Sequence, residues 1–431
     1  MESMSSDSEC VYSKNYKFFS EFLSGDMIRK MQQKSLILPA GKDGNRKTLY
    51  SHGLEISVIS EMIASIAFSS EKLSNMAIEK YMLSEMLAYA GIVRSFGQPP
   101  FGYSANNSIR NWFNENIDKI KVENKYISEL LSERMKEDLI NFSGIKMSVR
   151  YLLRYTDLNL GQVEEFITGL VDSESYMSDK SVMYSELNEM NLSCDKKTAL
   201  SYILEAAAYI VAATSIIDDV VTNSCAISHQ IMHYLRRNED FSEDITEEEY
   251  QKYCILVNSL ERCNGELKYS VSADRESELI HRWTVLLRHE MSISASESFA
   301  RNYDEICSGV YKSNLISDSW CRILKPLFRK LCDVLIGSSE YIEASFRTQK
   351  IITVLTEQIV STAVRYDTFD RLSFLETKIL SMIPEKCKSV YHRTSTGKCE
   401  GEKIYLRILM ALDYICSLTD SEAEEIYRKL H

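Results

Sequence analysis

The feature that most constrains this chain is a long apolar stretch at residues 198–221, TALSYILEAAAYIVAATSIIDDVV. It is far longer than an ordinary strand, and apolar residues occur on nearly all sides of it when it is drawn as a helix. It therefore predicts a central helix that other elements must cover. Asp218 and Asp219 fall near its end, where an acidic pair is expected to mark the end of the helix.

The rest of the chain favours helix as well. Apolar side chains recur at three- and four-residue spacing in residues 54–68, 278–300, 321–337, 345–365 and 403–429. Only 15 Gly and 5 Pro occur in 431 residues, which favours long unbroken elements, and strand signals are weak. The sequence predicts an all-α protein with surface breaks at residues 40–47, 98–107, 237–249 and 391–402.

No long linker rich in Pro, Gly or Ser divides the sequence. We therefore expect one helical body over residues 11–431, preceded by a disordered N-terminus at residues 1–10. The first residues are polar and acidic and do not resemble a signal peptide. The sequence analysis finds no apolar run of the ~20 residues that a membrane span needs. Eleven cysteines without a CxxC pair indicate a reduced, cytoplasmic setting.

The net charge of −12 argues against a general nucleic-acid-binding surface, because phosphate binding needs a concentrated positive field. Basic residues do gather near the N-terminus. We interpret them as a solvated helix end and loop rather than a binding patch. They are Arg29, Lys30, Lys34, Lys42, Arg46 and Lys47.

Several segments follow one another in the order of a known set of motifs. Residues 28–39 (IRKMQQKSLILP) resemble FRRLxxKTQVFP, residues 49–56 (LYSHGLEI) resemble RLTHSLEV, and residues 96–103 (FGQPPFGY) resemble (I/L)GHPPFGH. Matches to FEGNAQ, LNLT, FxSE, EAADDI, NYxxIxxG and DYIAGMTD follow at 142–147, 158–160, 184–186, 205–210, 303–309 and 413–420. The chain thus resembles the bacterial dGTPases, an HD-domain family of triphosphohydrolases.

This resemblance implies an HD-domain helical bundle with the C-terminal helical extension of the dGTPases. The HD-like core would span about residues 45–225 and the C-terminal region about 250–431. In the family, two His and two Asp hold a catalytic divalent metal. Here those positions fall on His52, Arg94, Ser95 and Ala208, so the site is degenerate, and we expect neither a metal nor another cofactor.

The positions that the family uses for proton transfer and substrate contact also differ. Gln98 and Tyr103 replace the two loop histidines, and Asn106 replaces the following Glu, so no group there titrates usefully near neutral pH. With Arg94, they would surround the family cavity. Lys146 and Tyr209 complete the candidate ligand pocket. Arg94 would either bind a phosphate or carboxylate or pair with a nearby acid and close the cavity.

Two other histidine or acid groupings suggest metal sites less strongly. His229 and His233 lie four residues apart, on one face of a helix, but the base Glu of the zincin pattern is Gln230. A surface or interface pair is the favoured interpretation. A site built from Asp218, Asp219 and His229 is the weaker alternative to a helix-end acidic pair.

Three hypotheses for function stay open. The first is a catalytically inactive dGTPase-like binding or regulatory subunit, which would bind a nucleotide without hydrolysing it. The second is an active dNTP or nucleotide triphosphohydrolase with a rebuilt site, and the third is a nucleic-acid-responsive assembly protein. The resemblance implies a homo-oligomer or a hetero-oligomer with a relative. Neither the ligand, the partner nor the oligomer size follows from the sequence.

Overall fold

A computed structural model of the chain describes residues 25–36, 47–155, 197–222, 228–236, 246–267 and 273–430. These residues form 17 α-helices, one 3₁₀ helix (Trp320–Leu324) and one two-stranded hairpin. The helices are α1 Asp26–Met31, α2 Leu49–Ala67, α3 Ala77–Val93, α4 Gly102–Asn116, α5 Ile127–Leu130, α6 Glu133–Ile140, α7 Gly144–Tyr155, α8 Ala199–Thr222, α9 Ser228–Arg236, α10 Glu247–Leu267, α11 Ala273–Ser308, α12 Lys325–Ile336, α13 Ser339–Ala363, α14 Phe374–Met382, α15 Glu385–Ser395, α16 Glu400–Ser417 and α17 Asp420–Leu430.

The hairpin pairs β1 (Lys121–Val122) with β2 (Lys125–Tyr126) in antiparallel register. Glu123 and Asn124 adopt positive φ between the strands, as a tight two-residue hairpin turn requires. With 77% helix and almost no strand among the residues that the structure describes, the prediction of an all-α bundle is confirmed.

Two compact units are distinguished by their internal contacts. The first unit comprises the described residues of Met1–Gly53, Ile92–Asp195 and Ser345–His431, and the second those of Leu54–Gly91 and Lys196–Ala344. The prediction of one body over residues 11–431 stays a prediction. The expected disordered N-terminus at residues 1–10 lies outside the described residues.

Helix α16 is the centre of the first unit. Its residues from Ile404 to Cys416 are all buried, and they join a hydrophobic cluster drawn from α4, α7, α13 and α17. The cluster also contains Trp112, Phe113 and Phe142. A fully buried helix can hold few charges, so each charged residue on it must be paired within the core.

The long C-terminal helical prediction is wrong in one respect, because residues 403–429 form two helices. Leu418 adopts extended backbone angles (φ −75°, ψ 147°) after α16. Thr419 then begins α17, since its hydroxyl accepts from Glu422 N (3.2 Å) and its own N–H donates to the Glu422 carboxylate (2.8 Å). This reciprocal capping stabilises a new helix start and explains the break.

The loop predicted at 98–107 is also shorter than expected, because α4 already begins at Gly102. Similarly, α15 continues to Ser395 and α16 begins at Glu400 within the break expected at 391–402. In both places the polar residues occupy the first or last turns of helices, where local sequence patterns give little indication of the boundary.

The long apolar stretch at residues 198–221 forms α8 in the second unit, and it packs most extensively against α11 and α12. Within the described residues, its segment Ala199–Val220 alone has the length and mean hydropathy (1.7 over 22 residues) of a membrane span, contrary to the sequence-based expectation that no such run exists. However, 72% of that segment is buried inside the protein, as in the core helix of a soluble protein.

Candidate functional site

The segment that joins α3 to α4 turns sharply at Phe101 and Gly102. Both residues lie in the left-handed region (φ 63° and 59°), and Gly102 N donates to Pro99 O. A side chain at Gly102 would place Cβ 2.1 Å from Leu36 O, so only glycine fits. Tyr103 N donates to the same Leu36 carbonyl (3.2 Å). The start of α4 therefore lies directly against the backbone after α1.

Asp420, at the start of α17, fixes this turn from the other side. Its carboxylate accepts from Phe101 N (2.7 Å), Ser35 N (2.9 Å) and the Ser35 hydroxyl (2.6 Å). Burial raises the pKa of Asp420, while these hydrogen bonds and the nearby Lys34 ammonium act in the opposite direction. The acid therefore serves as a buried acceptor that joins three chain segments.

Lys34 corrects the interpretation of the basic N-terminal residues. It was expected to be solvated, but it is completely buried. Its ammonium donates to Gln98 O (2.8 Å) and Cys416 O (2.5 Å). Burial lowers its pKa to about 8, although Asp420 partly opposes this effect. Lys34 acts in the scaffold, whereas Lys42 and Arg46 lie outside the described residues.

His52 and Tyr103 lie in contact in the first unit. His52, on the first turn of α2, is 2% exposed, and its ring is edge-on to Tyr103 with 6.2 Å between ring centroids. Burial raises the pKa of the Tyr103 phenol, and the Arg94 guanidinium opposes that rise. A buried imidazole, a half-exposed phenol and an arginine thus occupy one region of the site.

Arg94 directly follows α3 and is partly exposed. Its backbone carbonyl accepts from Ser148 Oγ (2.9 Å). Within the described residues its guanidinium forms no hydrogen bond and no ion pair. Its neighbour Ser95 is buried. The positive charge of Arg94 is therefore not neutralised by an acid in the part of the chain that the structure describes.

Gln98 and Asn106 are buried and hydrogen-bonded to each other. Asn106 Nδ2 donates to Gln98 Oε1 (2.7 Å), and Gly144 N donates to Asn106 Oδ1 (3.1 Å). A side chain at Gly144 would meet the Gln98 amide at 2.4 Å. These two amides therefore join α4 to the start of α7.

The two remaining pocket candidates, Lys146 and Tyr209, are on α7 and α8. Lys146 pairs with Asp138 (3.4 Å), which also accepts from the Tyr405 hydroxyl (2.9 Å). Ala208 and Tyr209 lie on α8 in the second unit, so only the sequence resemblance assigns them to this site. The assignments of Lys146 and Tyr209 to a ligand pocket stay predictions.

The donor groups do not fit the metal that the HD fold implies. Of the three HD positions in the first unit, only His52 can donate to a divalent cation, because Arg94 is always protonated and Ser95 is a weak neutral donor. No group of three or more His, Cys, Asp or Glu side chains suited to a metal occurs among the residues that the structure describes.

The other two candidate metal sites also have too few ligands among those residues. Asp218 lies in the last turn of α8, as a helix-end acid should, and faces His281 Nδ1 at 3.6 Å. His233 is exposed on α9, and the His229 side chain lies outside the described residues. Neither pattern acquires a third ligand there.

The sequence analysis missed one polar cluster in the first unit. Arg150 on α7 binds Asp413 on α16 through two parallel bonds, Nε to Oδ1 (2.8 Å) and Nη2 to Oδ2 (2.9 Å). The Tyr155 hydroxyl also donates to Asp413 (2.7 Å). The only available signal was the aspartate within the 413–420 motif, because its partner is 263 residues away along the chain.

Comparison with known proteins finds relatives along nearly the whole chain. No protein-family model matches the chain. A protein of Listeria innocua serovar 6a, named a deoxyguanosinetriphosphate triphosphohydrolase-like protein, is 25% identical over 442 aligned residues, 96% of this chain and 92% of its own length. The chain is thus similar, along nearly its whole length, to dGTP triphosphohydrolase-like proteins. A Listeria monocytogenes serovar 1/2a protein of the same name matches to the same extent.

This relationship supports a protein related to nucleotide triphosphohydrolases, and it covers both compact units. The alignment extends well beyond the turn at Phe101 and Gly102, so the family assignment does not depend on one short motif. Whether the chain has kept or lost the chemistry must be argued from its own side chains.

Proposed function

We propose that this chain is a dGTPase-like binding or regulatory subunit that binds an anionic nucleotide and does not hydrolyse it. The observation that carries the proposal is the Arg94 guanidinium, which has no acid to neutralise it within the described residues. Its charge opposes the rise in the pKa of Tyr103, and Tyr103 contacts His52. A planar guanidinium binds phosphate through two parallel hydrogen bonds. Arg94 is therefore suited to bind a phosphate. Its fixed positive charge occupies the position where the family would bind a metal cation.

Hydrolysis of a triphosphate needs an activated water and a base, and the residues at the family's proton-transfer positions, Gln98, Tyr103 and Asn106, include no base suited to neutral pH. A cation at Arg94 disfavours a second cation close by, because like charges repel most strongly away from bulk water. Gln98 and Asn106 are amides bonded to each other, so neither takes up a proton. The family scaffold would then present a nucleotide, or respond to it, without consuming it.

The first experiment uses the purified full chain with dGTP and the other dNTPs, with and without Mn²⁺ or Mg²⁺. Calorimetry measures binding, ion-exchange chromatography measures released triphosphate, and elemental analysis measures bound metal. We expect dGTP binding that needs no transition metal, and no triphosphate release. Triphosphate release, or one tightly bound transition metal per chain, would contradict inactivity and favour a rebuilt enzyme.

A matched pair of arginine variants tests the role of Arg94. Arg94→Gln removes the charge and should weaken dGTP binding at least tenfold, as expected for loss of a charged contact to phosphate. Arg134→Gln removes the same charge from the exposed face of α6 and should leave binding unchanged. Equal binding by wild type and the Arg94 variant would refute the proposed phosphate contact.

A third variant tests the assignment of the lost metal site. Arg94→His combined with Ser95→Asp restores, beside His52, the residue types that the family resemblance implies at the metal positions of the first unit. We expect this variant to bind a divalent metal that the wild type does not bind, because His and Asp together supply suitable ligands. No gain of metal in a folded variant would show that these positions do not converge.

A further inference from the structure

The first unit contains a cavity that was not predicted from the sequence, although several of its lining residues, among them Lys30, Phe96 and Asp413, belong to the matched segments. Its volume is about 230 Å³, which is below the roughly 300 Å³ typical of small drug-sized sites. Residues from α1, α7, α15, α16 and the segment after α3 line it. Its small size limits an occupant to a compact metabolite or part of a larger one.

The walls of the cavity are mainly apolar and aromatic. Tyr151 and Tyr155 stack on each other with 5.6 Å between ring centroids and 14° between planes, and Phe96 meets Tyr151 edge-on at 5.8 Å. Met27 and Met147 add thioether surface. Aromatic rings and polarisable sulfur both pack favourably against another aromatic ring. The walls are therefore suited to a flat aromatic group.

Two lysines place positive charge at the cavity. Lys386 Nζ donates to Tyr155 O (2.9 Å) and lies 5.5 Å from the Tyr155 ring centroid. Lys30 Nζ donates to Ser417 O (2.9 Å). An ammonium has three N–H groups, so each lysine can donate further hydrogen bonds to a ligand after making these contacts.

The acidic groups nearby offset only part of this charge. Asp413 is compensated by Arg150, and Asp26, which is mostly exposed, lies 3.9 Å from Lys30. The charges of Lys30 and Lys386, offset by that of Asp26, leave one net positive charge on the described part of the lining. Burial raises the pKa of the lining thiol of Cys387 to about 12, so that group stays neutral and does not repel an anion.

We propose that this cavity binds an aromatic monocarboxylate, with its ring against Tyr151 and its carboxylate toward Lys30 and Lys386. One net charge suits a monoanion better than a polyphosphate. Among the residues that the structure describes, the lining has no Asn, Gln or His side chain, and its Asp413 is already engaged by Arg150 and Tyr155. The lining therefore offers few side-chain donors or acceptors that could hydrogen-bond to the edge of a nucleobase.

The test titrates the full chain with phenylacetate, its neutral analogue phenylacetamide, the aliphatic hexanoate and dGMP, using ligand-observed NMR and calorimetry. We expect phenylacetate to bind at least fivefold more tightly than each of the other three. Added salt should weaken phenylacetate binding, because the lysines lie near solvent. Equal binding of the amide, or preferred binding of dGMP or hexanoate, would overturn the assignment.

Variants place the binding in this cavity. Lys386→Gln removes an exposed charge and should weaken phenylacetate binding about threefold to fivefold, in the range of a single exposed ion pair. Lys378→Gln, which removes an exposed charge from α14 outside the lining, is the matched control and should bind as wild type does. Met27→Trp should fill the space and abolish binding. Unchanged affinity in both Lys386→Gln and Met27→Trp would refute the site.

Discussion

The buried pair of Arg150 and Asp413 gives the sharpest test of how the first unit is held together. The Arg150 side chain is 1% exposed and the Asp413 side chain 6%, and Tyr155 supplies a third hydrogen bond. Asp413→Asn keeps the shape of the side chain but removes its charge. The Arg150 guanidinium would then remain buried against a neutral amide, which can no longer accept two charge-assisted bonds.

The expected magnitude follows from removing one partner of a buried ion pair, which costs about 3–5 kcal/mol of unfolding free energy. Tyr155→Phe leaves the ion pair intact and removes one bond to a charged acceptor, so we expect about 1.5 kcal/mol. Arg150→Met combined with Asp413→Leu leaves no buried charge. That double variant should lose less stability than the sum of its two single variants.

Urea unfolding followed by circular dichroism measures these differences, and hydrogen exchange with mass spectrometry locates them. Faster exchange should be confined to α7, α16 and the core around Trp112, which lie in the same unit. A loss below about 1 kcal/mol for Asp413→Asn would refute the buried-pair reasoning. So would additive losses in the double variant, because they would mean that the two residues stabilise the unit independently.

Three further predictions address the scaffold around the candidate site and the second unit. The pKa of Lys34 is lowered to about 8 from its ordinary 10.5, so the unfolded chain holds the extra proton between those values. Relative to Lys34→Met, wild type should therefore gain stability as the pH rises from about 8 to 10.5, and a pH-independent difference in urea unfolding would contradict this. Gly97→Ala would place Cβ 2.2 Å from Ser148 N and should lower the unfolding free energy by about 3 kcal/mol or more. Gly337→Ala would place Cβ 3.2 Å from Asp333 O and should change the melting temperature little. Similar losses of stability in the two variants would contradict the close packing at Gly97. Hydrogen bonds from Arg322 lower the pKa of Glu249 to about 2. In thermal melts, the higher stability of wild type relative to Glu249→Gln should therefore disappear as the pH falls from about 4.5 to 2. A stability difference that does not change with pH would argue against the pair.

Helical content was predictable from the sequence because it depends on near neighbours. Residues 54–68 and 198–221 fall within α2 and α8 with shifts of a few residues at their ends. The break at Leu418 escaped the analysis because a continuous apolar pattern runs across it. Only the capping contacts between Thr419 and Glu422, together with the placement of Asp420 against Phe101, give α17 a separate start.

The candidate site was predictable only as a set of residue types. The sequence resemblance brought His52, Arg94 and Tyr103 together, and the structure adds the contact between the His52 and Tyr103 rings. The resemblance could not indicate that the amides of Gln98 and Asn106 are hydrogen-bonded to each other rather than pointing toward a ligand. Such choices depend on competing partners, which a motif does not record.

The sequence by itself determined a mostly helical chain that resembles the dGTPases, and the residue types at the positions that the resemblance assigns to a metal. Apolar spacing and motif order are properties of the chain that survive without coordinates. The tertiary structure decided which polar groups are buried and which hydrogen-bond or ion-pair partners they have. Lys34 reaches a carbonyl 382 residues away, and Arg150 reaches an acid 263 residues away. Burial makes such long-range pairs necessary, because a desolvated charge is stable only beside a compensating group.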